Sequence, residues 1–293
     1  MPTLREVRNR ISGVRKTQKI TRAMKMVAAA KLRRAQAKVV ATRPYAQKLR
    51  DVLEHLTSQV QEEPPEMLRE RQVSSTALVV VTSDRGFCGA FNANLLKAAE
   101  GRIREYGDRV SVKLFCVGRK GNEFFRKRGY TVTGGRSGIF NSLAFLEAQG
   151  IAAELVEGYR EGKFDRVEIA YNQFKSLARQ QIEFEQFLPL PAEPAEEARN
   201  EHTTAPDYIY EPDWKELLVT LIPQYLNYLM WRILLESNCA EEGARMAAME
   251  NATENAREMI DTLQLQYNKA RQASITKELL EVVSGAEALM AAE

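Results

Sequence analysis

The sequence predicts an α/β protein in which the N- and C-terminal helices form a long antiparallel coiled coil. A Rossmann-like α/β domain is inserted between the two helices. Three observations predict this fold class. Small or apolar residues recur every three or four positions near both ends, both helical segments are too long for a compact domain, and strand-like runs alternate with helix-like runs between them. We expect a helix over 1–57, the α/β domain over 75–190, a connector over 191–207 and the second helix over 208–290.

The N-terminal helix is predicted by a stripe of near-heptad spacing that begins at Ala28 and ends at Leu56. A similar stripe begins at Leu4. A helix of this length spans about 80 Å at ~1.5 Å per residue. We expect Pro44 to bend it near Val40, because proline removes a backbone donor. The segment QEEPPE then ends the helix.

The middle of the chain consists of short apolar and β-branched runs, which are typical of strands. The predicted strands are TALVVVT, VSVKLFCV, RVEIAYNQF and QIEFEQFLPL. The predicted helices of this region are FNANLLKAAEGRIREYG, RKGNEFFRKRG and SLAFLEAQGIAAELVEGYREG. Because strands and helices alternate, we expect a sheet covered by helices, with a strand order that the pattern leaves open.

The C-terminal helix is the longer of the two. Its stripe continues from Ala252 to Leu289, and the predicted helix is about 120 Å long. Two long helices that flank one domain are expected to pair antiparallel, so the longer one must project beyond its partner. Its end, ASITKELLEVVSGAEALMAA, is apolar on more than one side. We therefore expect another protein to cover this end.

One segment has the length of a membrane span: LLVTLIPQYLNYLMWRILL, residues 217–235. In a bilayer, Pro223, Gln224, Asn227 and Arg232 would lie near the middle, where polar groups are costly. We therefore expect a buried helix, and no direct membrane span.

Charge is distributed unevenly along the chain. Residues 1–50 contain fifteen Lys or Arg and a single acid, Glu6, whereas the remaining 243 residues contain 27 bases and 38 acids. A basic end on an acidic body points to an acidic partner for that end. The cysteines Cys88, Cys116 and Cys239 are far apart and form no Cys-x-x-Cys motif. This spacing suits a reducing compartment and argues against a disulfide framework or a zinc site.

The loop SDRGFCGAFN, residues 83–92, follows a predicted strand and precedes a predicted helix, which is where phosphate-binding loops lie. It contains neither G-x-G-x-x-G nor Gly-Lys-Ser/Thr, so we expect only a tight turn that Ser83 or Asp84 caps. Neither His55 nor His202 lies beside a nucleophile or in metal-ligand spacing. The sequence thus predicts no catalytic residue, no cofactor and no metal.

Two further candidates are expected to be structural. Cys88 has no histidine near it in the sequence to activate it as a nucleophile. Glu241 and Glu242 are adjacent on a predicted helix, so they should point to different faces and be solvated.

The basic segment Gly13–Gln36 is the remaining functional signal, with eight Lys or Arg and no acid. Its charges are spread around the helix and no aromatic residue precedes Tyr45, which argues against nucleic-acid recognition. A helix surrounded by acidic protein fits better. A basic coiled coil that binds nucleic acid and a nucleotide-using enzyme stay as alternatives.

Several segments closely resemble the gamma subunit family of the F-type ATP synthase: TQKITRAMKMVAAAKLRRAQ with the following TRPYA, SDRGFCGAFN, DYIYEPD, EGARMAAMENATENA, and LQLQYNKARQASITKELLEVVSGAEAL. They occur in the family's order and span nearly the whole chain. The resemblance implies a non-catalytic rotor shaft that couples proton flow through the membrane c-ring to ATP synthesis or hydrolysis at the beta subunits. The implied partners are alpha, beta and epsilon subunits and the c-ring. The implied location is the cytoplasmic face of the bacterial inner membrane, peripheral through the complex.

The resemblance also implies partner-binding residues. Those toward the beta subunits are Met24, Lys31, Arg33, Arg34, Arg245, Arg271, Gln272 and Thr276. Those toward the c-ring and epsilon are Tyr208, Ile209, Tyr210 and Glu211. Chloroplast members of the family carry an inserted segment with a cysteine pair, and no such pair occurs before residue 206, so no redox switch is implied.

Overall fold

The computed structural model describes residues 3–58, 65–176, 180–190 and 214–290. The helices are α1 (Leu4–Ser58), α2 (Phe91–Tyr106), α3 (Arg119–Lys127), α4 (Phe145–Arg160) and α5 (Trp214–Met290). The strands are β1 (Ser75–Val81), β2 (Ser111–Val117), β3 (Val132–Arg136), β4 (Arg166–Phe174) and β5 (Gln180–Leu188).

The chain divides into two compact units. The first combines Met1–Ala28 with Met246–Glu293, and the second comprises Ala29–Arg245. Helices α1 and α5 contribute to both units, and the five strands belong to the second. Long terminal helices that pack together and an inserted α/β sheet are the predicted fold class, which is confirmed.

The sheet has the strand order β3-β2-β1-β4-β5. Strands β3, β2, β1 and β4 run parallel to their neighbours, whereas β5 runs antiparallel to β4. The central strand β1 is buried throughout from Thr76 to Val81, as expected for a parallel strand covered on both faces. Strand β3, with the sequence VTGGR, was not among the predicted strands.

The two faces of the sheet support two separate cores, because successive side chains of a strand point to opposite faces. On one face, Leu78 and Val80 pack with apolar residues of α2 and α3. On the other face, Ala77, Val79 and Val81 pack with apolar residues of α4 and α5 and with the end of α1.

The apolar segment 217–235 lies within α5 and packs against this second face. Its residues Leu218, Ile222, Leu226 and Met230 are buried at a spacing of one helical turn. Each such side chain stabilises the fold by about 1.5–3 kcal/mol. The predicted buried helix is therefore confirmed, and none of the described helices combines the length and apolarity that crossing a membrane requires.

Helix α1 continues through Pro44 to Ser58. A proline at this position has no N–H to donate to the carbonyl of Val40, four residues earlier. The local cause of the expected bend is therefore present, and the bend itself stays a prediction.

Candidate partner-binding surfaces

Helices α1 and α5 pair antiparallel within the first unit. The hydroxyl oxygens of Thr21 and Thr253 lie 2.7 Å apart, and Lys25 Nζ lies 2.5 Å from Glu250 Oε1. Residue numbers thus rise on α1 as they fall on α5. The seam beside these contacts is apolar and buried, and contains Val7, Ile11, Ala28, Met249, Ala256 and Ile260.

The basic side chains of α1 stay accessible around the helix. Arg33 and Arg34 are exposed, and neither forms an ion pair with any residue that the structure describes. Lys31 is also exposed, although its Nζ lies 3.4 Å from Glu242 Oε1. Met24 is half-buried. The bases assigned to partner contact on this helix are therefore available to an acidic surface.

Arg245 is in a different situation, because it is buried and already paired. Its side chain lies 2.6 Å from Glu241 Oε1 and 3.1 Å from Glu242 Oε1, and only 9% of the residue is exposed. Burial raises the pKa of Glu241, and the Arg245 guanidinium counteracts part of that rise. The expectation that Glu241 and Glu242 are solvated is therefore wrong: both are buried around one cation.

The reason lies in helix geometry. Residues three and four positions apart are neighbours on a helix, so Arg245 reaches both acids although they are adjacent in sequence. The spacing EE-x-x-R was visible in the sequence and would have indicated this arrangement. Lys31 of α1 adds a second cation to the same group, because its ammonium faces Glu242.

The far end of α5 has no helix opposite it among the described residues. Continuing the Thr21–Thr253 register places Leu4, the first residue of α1, opposite Ala270. Beyond that point the exposed fractions of Leu279, Leu280 and Val282 are 61%, 61% and 70%. Side chains at these positions point in different directions around a helix, so the end is apolar on several sides.

The residues Arg271, Gln272 and Thr276 lie on this same stretch and are exposed. The Thr276 hydroxyl donates to the carbonyl of Gln272 at 3.0 Å, so it is satisfied within the helix. The side chains of Arg271 and Gln272 are exposed beside the exposed apolar residues of the same stretch, an arrangement typical of protein-binding surfaces.

The loop SDRGFCGAFN forms a turn in which Ser83, Asp84 and Asn92 hydrogen-bond to other groups of the protein. The Ser83 hydroxyl donates to the carbonyl of Arg85, and Asn92 Nδ2 donates to the Ser83 hydroxyl. Helix α2 has Ala90 as its N-cap, and no side chain bonds there. Asp84 Oδ1 instead accepts from the backbone N–H of Arg119, the first residue of α3.

Cys88, in the same loop, is buried, and burial raises the pKa of its thiol, which disfavours the reactive thiolate. Among the described residues, no group of three or more His, Cys, Asp or Glu side chains is arranged to hold a metal ion. The connector 191–207, His202 and the segment Tyr208–Glu211 lie outside the described residues.

Comparisons with known proteins agree on one family. Residues 3–289 match the family described as ATP synthase. The ATP synthase gamma chain of Chloroherpeton thalassium is 46% identical over 300 residues, and the match covers 99% of each chain. The gamma chain of Cytophaga hutchinsonii is 48% identical over 294 residues, again with 99% of each chain covered.

Two solved structures share the fold. One is the central stalk and c-ring of the Tetrahymena thermophila mitochondrial ATP synthase, with a TM-score of 0.60, 26% identity, and coverage of 80% of this chain and 99% of the other. Another is the OSCP/F1/c-ring structure of the Euglena gracilis mitochondrial ATP synthase, with a TM-score of 0.68, 23% identity, and coverage of 98% and 95%. Paired terminal helices, an inserted α/β sheet and near-full-length identity lead to one conclusion: the chain belongs to the gamma chain family of the F-type ATP synthase, the family of its central stalk.

Proposed function

We propose that this chain is the rotor shaft that couples proton flow through a c-ring to ATP synthesis or hydrolysis on beta subunits. The observation that best supports this is the end of α5, where exposed apolar side chains on several sides require a surrounding protein. The chain supplies contacts and movement, and the nucleotides bind and react on other subunits.

The partners follow from the relatives. The Tetrahymena and Euglena structures are described as a central stalk with a c-ring and as F1 with a c-ring. We extend these partners to this chain, with a hexamer of alpha and beta subunits around the helix pair. We also propose an epsilon subunit and the c-ring as partners of Tyr208–Glu211. The chain is then a peripheral part of the complex, on the cytoplasmic face of a bacterial inner membrane.

The proposed contacts with the beta subunits use weak forces, which suits a rotor. Lys31, Arg33 and Arg34 are exposed, and an exposed ion pair contributes only about 0–1 kcal/mol. A shaft held by such pairs stays centred while differing little in energy among three orientations. Deep, complementary packing would hold one orientation and stop rotation.

Arg245 is proposed to act as a fixed donor in the same set of contacts. Its guanidinium is held by Glu241 and Glu242, so it loses little side-chain entropy when a partner approaches it. Met24, Arg271, Gln272 and Thr276 complete the proposed set toward the beta subunits.

The work needed to release one ATP sets how many protons must cross the membrane. One proton that crosses 100 mV provides about 2.3 kcal/mol, so several crossings must combine before one ATP is released. A shaft transmits this work by presenting different faces in turn to three catalytic sites. Each contact shifts the populations of the conformations of a site.

The test is to add the full-length chain to a hexamer of alpha and beta subunits and to record ATPase turnover and single-particle rotation. Unidirectional, ATP-driven rotation that depends on the chain supports the proposal. A chain that does not join the hexamer but binds DNA with a steep dependence on salt contradicts it and favours the nucleic-acid alternative.

A further inference from the structure

A groove of about 490 Å³ lies between α1 and α5 within the first unit, apart from the proposed partner-binding residues. Two turns of each helix line it, with the residues Gln18, Lys19, Arg22, Lys25, Glu250, Thr253, Glu254 and Arg257. At ~1.5 Å per residue, each of these stretches is about 10 Å long. The volume falls in the range of about 300–1,000 Å³ that is typical of small-molecule sites.

Every side chain that lines the groove is polar or charged. The centre of a protein–protein interface is usually apolar and poor in charged residues. Sites for organic ligands are lined mainly by apolar and aromatic side chains. The lining therefore favours a small inorganic ligand over an organic molecule or a protein segment.

The balance of charge in the groove is positive. Its four cations are Lys19, Arg22, Lys25 and Arg257, and its two acids are Glu250 and Glu254. Lys25 Nζ lies 2.5 Å from Glu250 Oε1, and Arg257 Nη1 lies 3.8 Å from Glu254 Oε1. Each acid thus has a cation of its own, and two positive charges of the groove are not compensated by an acid of its lining.

These two charges belong to Lys19 and Arg22. Neither side chain forms an ion pair or a hydrogen bond with any residue that the structure describes. The amide of Gln18, which is half-buried beside them, also makes no hydrogen bond with the described protein. Like charges one turn apart on a helix repel each other, so an anion held between these donors would relieve the repulsion.

Phosphate oxygens match these donors in charge and in number. A guanidinium binds a phosphate group through two parallel hydrogen bonds, an ammonium attracts it as a point charge, and a side-chain amide donates through its NH₂ group. A single phosphate group fills only part of a groove about 10 Å long. Linked phosphate groups would carry negative charge along its whole length and reach both helices.

We propose that this groove binds a short inorganic polyphosphate. Its phosphate groups lie between Lys19 and Arg22 on α1 and Arg257 on α5, and the amide of Gln18 donates to them. The site is independent of the rotor role, because none of its lining residues is assigned to the beta subunits, the c-ring or epsilon.

The test is isothermal titration of the full-length chain with tripolyphosphate in metal-free buffer. An ionic strength of about 0.15 M screens the attraction of charges that lie outside the groove. We expect saturable binding at one site per chain, and binding at least tenfold weaker for orthophosphate, which cannot contact both helices at once. No saturable binding of tripolyphosphate, or equal binding of the two anions, overturns the proposal.

One pair of variants tests the unpaired cations. Lys19→Gln with Arg22→Gln should weaken tripolyphosphate binding tenfold or more, because both uncompensated charges are removed. The matched control is Arg8→Gln with Arg10→Gln, which removes the same charge from exposed residues of α1 outside the groove. Equal weakening by the two pairs would show attraction to the basic helix as a whole and would overturn the site. Circular dichroism and the unfolding midpoint establish that each variant is folded.

A further variant should change binding in the opposite direction. Glu254→Gln removes a negative charge from the lining and should strengthen tripolyphosphate binding several-fold. Glu258→Gln, one turn further along α5 and outside the lining, is the control and should have a smaller effect. Unchanged or weaker binding by Glu254→Gln contradicts a ligand that lies between the two helices.

A hexaglutamate peptide distinguishes an inorganic ligand from an acidic protein segment. We expect it to bind at least tenfold more weakly than tripolyphosphate, because a flexible peptide loses conformational entropy on binding. A peptide that binds as tightly, and that loses binding with Lys19→Gln and Arg22→Gln, assigns the groove to a protein partner and overturns the proposal.

Discussion

The guanidinium of Arg245 lies between the carboxylates of Glu241 and Glu242, all three of them buried. Removing one partner of a buried ion pair is expensive because the remaining charge keeps its desolvation penalty and loses its compensation. In this group a single cation compensates two acids, with help only from the exposed Lys31. The stability of this part of α5 therefore depends on one side chain.

The first prediction is that Arg245→Met lowers the free energy of unfolding by about 3–5 kcal/mol at pH 7, because both carboxylates then stay buried without their main partner. The measurement is urea unfolding followed by circular dichroism. The triple variant Arg245→Met, Glu241→Gln, Glu242→Gln is the control and should recover most of the loss. A triple variant as unstable as the single one would contradict the electrostatic explanation.

The same variant should respond to pH. Burial raises the pKa of Glu241 above its ordinary value of 4.5, and removal of Arg245 should raise it further. A carboxyl with a higher pKa in the folded protein binds its proton more tightly there, so stability falls as pH rises from the ordinary value through the raised one. We therefore expect Arg245→Met to regain stability on going from pH 7 toward pH 5.

At the scale of the elements, the pairing of α1 with α5 includes a polar contact beside an apolar seam. The hydroxyls of Thr21 and Thr253 lie 2.7 Å apart, one turn from the ion pair of Lys25 with Glu250. Apolar seam residues supply most of the free energy of pairing, but they tolerate sliding by a heptad. A hydroxyl pair can form in only one register, so it fixes the alignment of the two helices.

The second prediction concerns this contact. Thr21→Val should lower the free energy of unfolding by about 1 kcal/mol, because it breaks one hydrogen bond inside the seam. Adding Thr253→Val should cost little more, since the Thr253 hydroxyl has already lost its partner across the seam. A double-mutant cycle measures the coupling, and strictly additive losses would contradict a direct contact.

The helices and most of the strands could be predicted from sequence because their patterns are local. Strand β3 could not, because Gly134 and Gly135 have no side chains to show a pattern and its partner β2 supplies the pairing. The contact of Asp84 with the backbone of Arg119 could not be predicted either, since the fold brings the start of α3 beside this turn. Topology, and not the neighbouring sequence, determines such contacts.

The candidate surfaces likewise contain features that the sequence predicts and features that only the fold reveals. The exposed bases Arg33 and Arg34 were predictable from composition, because a charge without a nearby acid is visible in the sequence. The ion pair of Arg232 with Glu185 was not predictable, because Glu185 lies 47 positions away on β5 and only the fold brings it to α5.

At the scale of the whole molecule, basic charge and exposed apolar surface are both concentrated in the terminal helices. The exposed bases lie along α1, and Leu279, Leu280, Val282 and Val283 are exposed near the end of α5. The two surfaces should contribute differently to assembly, because salt screens charges but strengthens or leaves unchanged the burial of apolar groups.

The third prediction tests the charged surface. Arg33→Gln with Arg34→Gln should weaken binding of the chain to the hexamer several-fold at low salt and much less at high salt, because exposed pairs are screened. Binding and ATPase stimulation are measured over a salt series. Arg15→Gln with Lys16→Gln, also exposed on α1, is the control. An equal effect of the two pairs would contradict a specific role for Arg33 and Arg34.

The fourth prediction tests the apolar surface. Leu279→Ser, Val282→Ser and Val283→Ser together should leave the unfolding of the isolated chain within about 0.5 kcal/mol, because these side chains are exposed. The variant should nevertheless lose hexamer binding by tenfold or more. Glu278→Gln with Glu281→Gln on the same turns is the control, and an equal loss there would exclude apolar contact as the cause.

The burial of Leu218, Ile222, Leu226 and Met230 against the sheet also has a consequence for synthesis. The last strand ends at Leu188, yet the helix that covers one face of the sheet comes from about thirty to fifty residues later in the chain. At about 5–20 residues per second, a ribosome needs several seconds to make that helix. During this interval α4 and the end of α1 cover only part of this face of the nascent sheet, and the remaining apolar part is a surface that a chaperone at the ribosome could bind.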